Sequence, residues 1–312
     1  MPLNAARATL LLVACLAAPA SAQVMLDPGI KSSTTALTPD QRQKVAELVD
    51  GQADRFADAD AAGIATLRGQ IAIFLKDPST KDPCRREYAS EFVRAFGRFV
   101  TEDGELRLLR ATNVFIIARF APTADTLGLL LDNADPALQK DASIRTAAAA
   151  QLPFALRSGQ FTGPQADAAA KRIAGIVKAE GDWVPAAHGC ESIIEALRTK
   201  GLPPAQAESI AVILGGCVND LAARTFDAAN PGNAQLVNAL QRTLLAIRNQ
   251  TSEVSASARG KLFAAIGPTL DRVSSMKGKP PAAFDGGMLG AAFESTTNTA
   301  DLLKKVRATT AK

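Results

Sequence analysis

The chain of 312 residues is 47% hydrophobic, which is enough apolar material for a large folded core. Its net charge of +4 is too small for the strong positive field that nucleic-acid binding needs, so we expect no nucleic-acid partner. Beyond the N-terminus no stretch stays apolar for about eighteen residues, so we expect no transmembrane helix. Abundant alanine and only 5% aromatic residues favour a helical body.

Residues 1–22 have the pattern of a signal peptide. Arg7 precedes an apolar run over residues 8–18, and Ala20 and Ala22 are the small residues that a signal peptidase requires before its cut. The run is too short to span a bilayer. Removing Arg7, one of 35 cations, leaves 34 against 31 anions, a net charge of +3. We therefore expect an exported protein that is periplasmic or secreted.

An alternative is lipidation at Cys15. The sequence LVAC, which ends at this cysteine, fits the lipoprotein pattern in which the cysteine is acylated and becomes the first residue. Only fourteen residues would then remain as the signal, which is short. This alternative predicts an envelope protein held by a lipid anchor, and intact mass would distinguish it from simple cleavage.

Helix-start signals recur along the chain. A capping side chain satisfies a free backbone amide, and proline fits the first helical turn because it has no amide to satisfy. Such starts occur at Thr38-Pro39, Asp82-Pro83, Asp135-Pro136 and Asn230-Pro231, with Pro164 and Pro203-Pro204 playing a similar part.

Apolar residues then follow helical spacing, and no convincing alternation of period two appears. The stripes are Ile64, Leu67, Ile71 and Phe74; Tyr88, Phe92, Phe96 and Phe99; and Ile210, Ile213, Leu214, Cys217, Val218 and Leu221. We predict an all-α fold of eleven or twelve helices. Val114–Ala118 is apolar on every side and should be buried on two faces, and Pro153 should kink its helix.

The segment Pro122–Gly159 reads as two amphipathic helices joined at an Asp-Pro turn, and similar pairs fill most of the chain. This organisation predicts an α-solenoid-like stack of antiparallel helical hairpins. The alternative is an irregular helical bundle.

Within this region the sequence resembles HEAT/armadillo-like helical repeat proteins, best over residues 105–200. The resemblance is carried by Ile144-Arg145, Ala148-Ala149 and Leu152, with a weaker echo in Leu109-Arg110-Ala111, Val114 and Ala118. It implies that the alanines allow close helix packing and that the arginine packs along a neighbouring repeat. Seven residues separate Pro136 from Ile144, more than the usual turn of that family, which indicates an extra helical turn or a register shift.

These patterns divide the mature chain into four parts. We expect a flexible N-terminal segment at residues 23–37, a helical repeat domain at 38–276, a linker at 277–287 and a C-terminal helix at 288–312. The last helix could cap the stack, since a terminal repeat must cover an exposed apolar layer.

Export makes the three remaining cysteines informative. Cys190 and Cys217 lie equally far from Pro203-Pro204, the turn of a predicted hairpin formed by Ala186–Lys200 and Pro204–Asp227. Helix axes about 8–10 Å apart can bring facing positions within disulfide range. We hypothesise a disulfide between them, and two buried thiols are the alternative. Cys84 would then be unpaired.

No motif specifies a reaction. The only histidine, His188, is two residues from Cys190, and side chains at that spacing on a helix point in different directions. A metal site would need further ligands. Ser274 and Lys277 lack the partner motifs of serine-lysine enzymes, and Trp183 is better explained by packing than by binding. We therefore predict no catalytic, cofactor-binding or metal-binding residues.

Together these observations predict an exported, non-catalytic binding or scaffold module. A helical-repeat surface would bind a protein or an envelope partner. Besides the lipid-anchored alternative, an enzyme whose residues converge only in the fold remains a further possibility.

Overall fold

A computed structural model describes residues 26–158 and 161–310. The expected signal peptide and Cys15 lie outside these residues. Within them the chain is all-α and contains no strand, as the apolar spacing predicts. No helix in this part of the chain is both long and apolar enough to cross a membrane.

The helices follow one another with short connections. They are α1 (Pro28–Lys31), α2 (Pro39–Asp58), α3 (Ala61–Lys76), α4 (Asp82–Phe96), α5 (Arg107–Ala118), α6 (Ala124–Ala134), α7 (Ala142–Ala149), α8 (Leu152–Arg157), α9 (Gly163–Ala179), α10 (Trp183–Leu197), α11 (Pro204–Thr225), α12 (Val237–Gln250), α13 (Ala256–Ser275) and α14 (Gly287–Thr310). Short 3-10 turns lie at Gly97–Val100, Pro231–Leu236, Thr251–Glu253 and Ala282–Phe284.

Most helices begin where capping residues and prolines predict. Thr38 accepts the amide of Gln41, whose side chain accepts the Thr38 amide in return. The pair Asp135-Pro136 differs, since it forms only an isolated turn. Helix α7 begins six residues later, because the Asp141 carboxylate accepts the amides at its start.

Pro153 does not kink a helix, contrary to the expectation from sequence. Helix α7 ends at Ala149, and α8 restarts at Leu152 with the proline as its second residue. At that position the missing amide needs no acceptor, so a break between two short helices replaces the bend.

The helices pack in two rows. Contacts join α2, α4, α6, α9, α11 and α13 in succession, which we call the first row. Contacts likewise join α3 to α5, α5 to α7, and both α7 and α8 to α10, which packs on α12; this is the second row. Helix α14 packs against the final helix of each row.

One apolar core runs between these helices from Ile30 to Leu303. The apolar run in α5 is buried as predicted, with Val114, Phe115 and Ile117 each fully enclosed. Residues 26–37 differ from the expected flexible segment, because Ile30 and Leu37 are buried in this core.

Residues 277–287, the expected linker, also pack against the fold, through Phe284. Phe284 is buried and stacks on Phe293 of α14 with ring centroids 5.2 Å apart, and its ring lies 5.6 Å from that of Phe226. The segment therefore anchors the start of α14 through an aromatic cluster.

We call a first-row helix together with the second-row helices that follow it in the chain a helical unit. A buried ion pair connects the unit that contains α7 to the next unit, which begins with α9. Arg145 donates from Nε to Oε2 of Glu180 at 2.8 Å and from Nη2 to Oε1 at 3.3 Å. Its Nη1 also donates to the carbonyl oxygens of Gln139 and Lys140. The side chains of Arg145 and Glu180 are only 12% and 2% exposed, so the pair lies within the packing between α7 and the end of α9.

Candidate binding surface

Three connections of the chain lie on one side of the fold. They follow Lys76, Ala118 and Arg157, and each leads from a second-row helix to a first-row helix. The last turns of α3, α5 and α8 therefore lie beside the first turns of α4, α6 and α9. We call this surface the loop edge. Loops held by a rigid scaffold are common positions for binding residues.

An open cleft of about 660 Å³ lies on the loop edge. Its walls come from the first turns of α4, α6 and α9 and from the connections before them, including Asp82, Arg86, Thr123, Asp125 and Thr162. The free amides at a helix start carry partial positive charge. Three such helix starts therefore face one cleft.

The two arginines of this cleft, Arg85 and Arg86, differ in the hydrogen bonds that they make. Arg85 donates from Nε to the carbonyl of Leu75 and from Nη2 to that of Asp77, each at 3.0 Å, so it holds the α3–α4 connection. Arg86 is exposed and makes no hydrogen bond or ion pair within the described part of the chain. It is the cation of the cleft that is available to a ligand, but the lining has two aspartates, Asp82 and Asp125, for its two arginines and therefore carries no net charge.

Beside the cleft, cations alternate with aromatic rings. Lys76 Nζ lies 4.1 Å from the centroid of the Phe120 ring, and the Arg119 guanidinium carbon lies 4.8 Å from the same ring. Arg119 also lies 4.7 Å from the ring of Phe154, which Arg157 approaches at 5.5 Å. These are cation–π distances. We call the five residues the basic-aromatic strip.

Little negative charge balances the strip. Arg119 donates from Nη1 to the neutral Gln151 at 2.8 Å, and among the described residues neither Arg119 nor Lys76 has a carboxylate partner. Burial, and secondarily the nearby Arg68 guanidinium, lower the pKa of Arg119. Of the three cations, Arg157 alone has an ion-pair partner in the part of the chain that the structure describes, the buried Glu195 at 2.7 Å.

The strip also exposes apolar surface. Phe154 is 47% exposed, and Ile73, one helical turn before Lys76, is 72% exposed. A surface that combines apolar side chains with arginine is characteristic of protein interfaces.

Sequence reasoning did not single out these residues. Lysine and arginine near helix C-termini are ordinary, because they complement the helix dipole. The available signal was the pair Arg119-Phe120 followed by Phe154 and Arg157 at helical spacing, which becomes distinctive only when the helix ends lie together.

Cys190 and Cys217 face each other across α10 and α11, as the hairpin predicts. Both are buried, and in the structure they are separate thiols. A hydrogen bond between them and burial raise the pKa of Cys217. The disulfide itself stays a prediction. Cys84 is also a buried thiol, and burial raises its pKa to about 11.

His188 is engaged away from Cys190. Its Nδ1 lies 3.0 Å from Oε2 of Glu191, whose other oxygen accepts from Nη2 of Arg242 at 2.7 Å. This cluster connects α10 to α12. Trp183 begins α10 and packs, partly buried, against the core. No group of three or more potential metal ligands occurs in the described residues.

A comparison of the chain with known protein families, with curated proteins and with solved structures finds no match in any of the three.

Proposed function

We propose that this chain is an exported, non-catalytic binding module that holds a protein or cell-envelope partner on its loop edge. The observation that carries the proposal is the continuity of that edge. The cleft and the basic-aromatic strip meet where Phe120 is followed by Ala121, so one surface offers a concave part and an exposed cationic, aromatic part.

The proposal includes a HEAT-like repeat architecture, with a lipid anchor at Cys15 as the alternative form of export. The two rows of successive helices support a repeat organisation, because each helix packs mainly on its neighbours in the row. The buried bond from Arg145 to Glu180 of the following unit supports it further, since the resemblance implies an arginine in that role.

The groups that line the loop edge suit binding. Arg86 and the helix starts attract anionic groups, and exposed Phe154 offers apolar contact. Exposed cations with an unpaired charge also raise the rate of encounter with an acidic partner.

Site-specific photo-crosslinking in the native envelope tests this function. A photoreactive residue replaces Phe154 on the loop edge or, as the matched control, Leu138, which is 63% exposed in the connection between α6 and α7 on the opposite edge. We expect a discrete adduct from position 154 and none from position 138. Equal adducts at both positions, or none on the loop edge, would contradict the proposal.

The same preparations test export. The mass of the mature chain should correspond to cleavage after Ala22, so that the chain begins at Gln23. Acylation at Cys15 would instead retain residues 15–22 and add the mass of lipid. An uncleaved N-terminus would contradict both forms of export.

A further inference from the structure

We propose that the basic-aromatic strip binds an acidic protein segment in which carboxylates alternate with apolar side chains. This inference rests on the proposed binding function and names the class of partner that the loop edge takes.

The charge of the strip selects for an anionic partner. Three cations, Lys76, Arg119 and Arg157, lie along it, and the described residues supply one carboxylate to them, Glu195 on Arg157. Arg68, which bonds to Asn113 through a neutral contact at 3.0 Å, adds positive charge nearby. In the adjoining cleft the charges of two arginines and two aspartates cancel, and three helix starts add partial positive charge.

The exposed apolar side chains on and beside the strip favour a partner that carries apolar side chains as well as negative charge. Phe154 of the strip is 47% exposed, and Ile73, one helical turn before Lys76, is 72% exposed. A polyanionic sugar or phosphate polymer would satisfy the cations but would leave both side chains in water. A segment with leucine-like residues between its carboxylates would satisfy the cations and cover the apolar surface as well.

Arg119, the central cation of the strip, is preorganised for such a ligand. The Arg119 guanidinium lies between two aromatic rings and donates to Gln151, which is itself buried. A side chain held in this way loses little conformational freedom on binding, and its planar donors suit a carboxylate. We therefore expect Arg119 to contribute more to affinity than the more exposed Lys76.

Fluorescence anisotropy of the mature protein with synthetic peptides tests the proposal. The main probe alternates aspartate with leucine, and three comparison probes are an aspartate–serine peptide, an asparagine–leucine peptide and inorganic polyphosphate. We expect the aspartate–leucine peptide to bind at least about tenfold more tightly than each comparison probe, with an affinity that falls as salt is raised.

Variants assign the binding to the strip. Arg119→Gln and Phe154→Ala should each weaken the aspartate–leucine peptide about tenfold or more, which is the range of a central arginine or aromatic contact. Arg98→Gln is the matched control, because Arg98 also lies over a ring, Phe99 at 4.8 Å, but in the connection between α4 and α5. It should leave affinity unchanged. If Arg119→Gln does not fold, the exposed Lys76→Gln replaces it.

Several outcomes would overturn the inference. Polyphosphate or the aspartate–serine peptide binding as tightly as the main probe would make the strip a purely ionic surface. Equal binding of the asparagine–leucine peptide would remove the role of charge. Unchanged affinity in both strip variants would place the site elsewhere. In each case, partner adducts at position 154 would still support the proposed function, whereas their absence as well would end both proposals.

Discussion

The bond between Arg145 and Glu180 gives the sharpest test of how the helical units are held together. In Glu180→Ala the guanidinium loses both carboxylate hydrogen bonds, at 2.8 and 3.3 Å, while its charge stays almost enclosed. The amide of Asp182, which donates to the same carboxylate at 2.9 Å, also loses its acceptor. The substitution therefore removes the carboxylate acceptor of three N–H donors in the packing between units.

The expected magnitude follows from burial. Removing one partner of a buried ion pair destabilises a protein by about 3–5 kcal/mol, because the other charge is left without compensation. Arg145 retains the carbonyl oxygens of Gln139 and Lys140 as acceptors, so we expect the lower end of this range, about 3 kcal/mol. In the double variant Arg145→Ala/Glu180→Ala no buried charge remains, and its loss should be smaller than the sum of the two single losses.

Urea unfolding followed by far-ultraviolet circular dichroism measures these free energies of unfolding. Asp132→Ala is the matched control. Its partner Arg172 likewise connects successive units, from α9 to α6, but the side chains of Arg172 and Asp132 are 37% and 57% exposed. That control should change stability by about 0–1 kcal/mol. A Glu180→Ala loss as small as the control, or strictly additive single losses, would refute the reasoning.

Three further predictions follow from close packing, from the thiol pair and from pH. Gly215→Ala should destabilise the protein by about 1–3 kcal/mol in thermal unfolding, because the new Cβ would lie 2.5 Å from that of Ala265. In the control Gly216→Ala the new Cβ meets nothing within 4 Å, so this variant should be neutral or stabilising by up to about 1 kcal/mol. Oxidised glutathione should convert Cys190 and Cys217 to a disulfide, visible by mass spectrometry as the loss of two hydrogen atoms; if both are freely alkylated after denaturation, the bond does not form. Hydrogen bonds from Arg307 and Lys304 lower the pKa of Asp271. The ion pairs of this carboxylate therefore hold α14 on α13 fully above the ordinary carboxyl pKa, and their contribution is lost as pH falls through the lowered pKa of Asp271. Protection of the α14 amides, taken relative to their intrinsic exchange rate at each pH, should fall over that range, and Asp271→Asn should lower this protection at neutral pH. Equal protection of α14 in both proteins would show that the ion pairs do not hold it.

The local elements could be predicted from the sequence for clear physical reasons. Apolar spacing of 3.6 residues and capping prolines identify helices, since both depend on neighbours within a turn or two. The facing positions of Cys190 and Cys217 followed from equal distances to a turn. Local rules failed where two signals competed, as at Pro136, where the cap offered by Asp141 decides the start of α7.

The basic-aromatic strip and the partner of Arg145 were decided only by tertiary structure. Lys76 lies at the end of α3, Arg119 directly after α5 and Phe154 in α8, and each is ordinary beside its own neighbours in the chain. They become one surface because the packing of the rows places each cation within 5 Å of the centroid of an aromatic ring that is distant in the sequence. Periodicity determines which side of a helix is buried, but the packing of one helix on another determines which exposed residues meet.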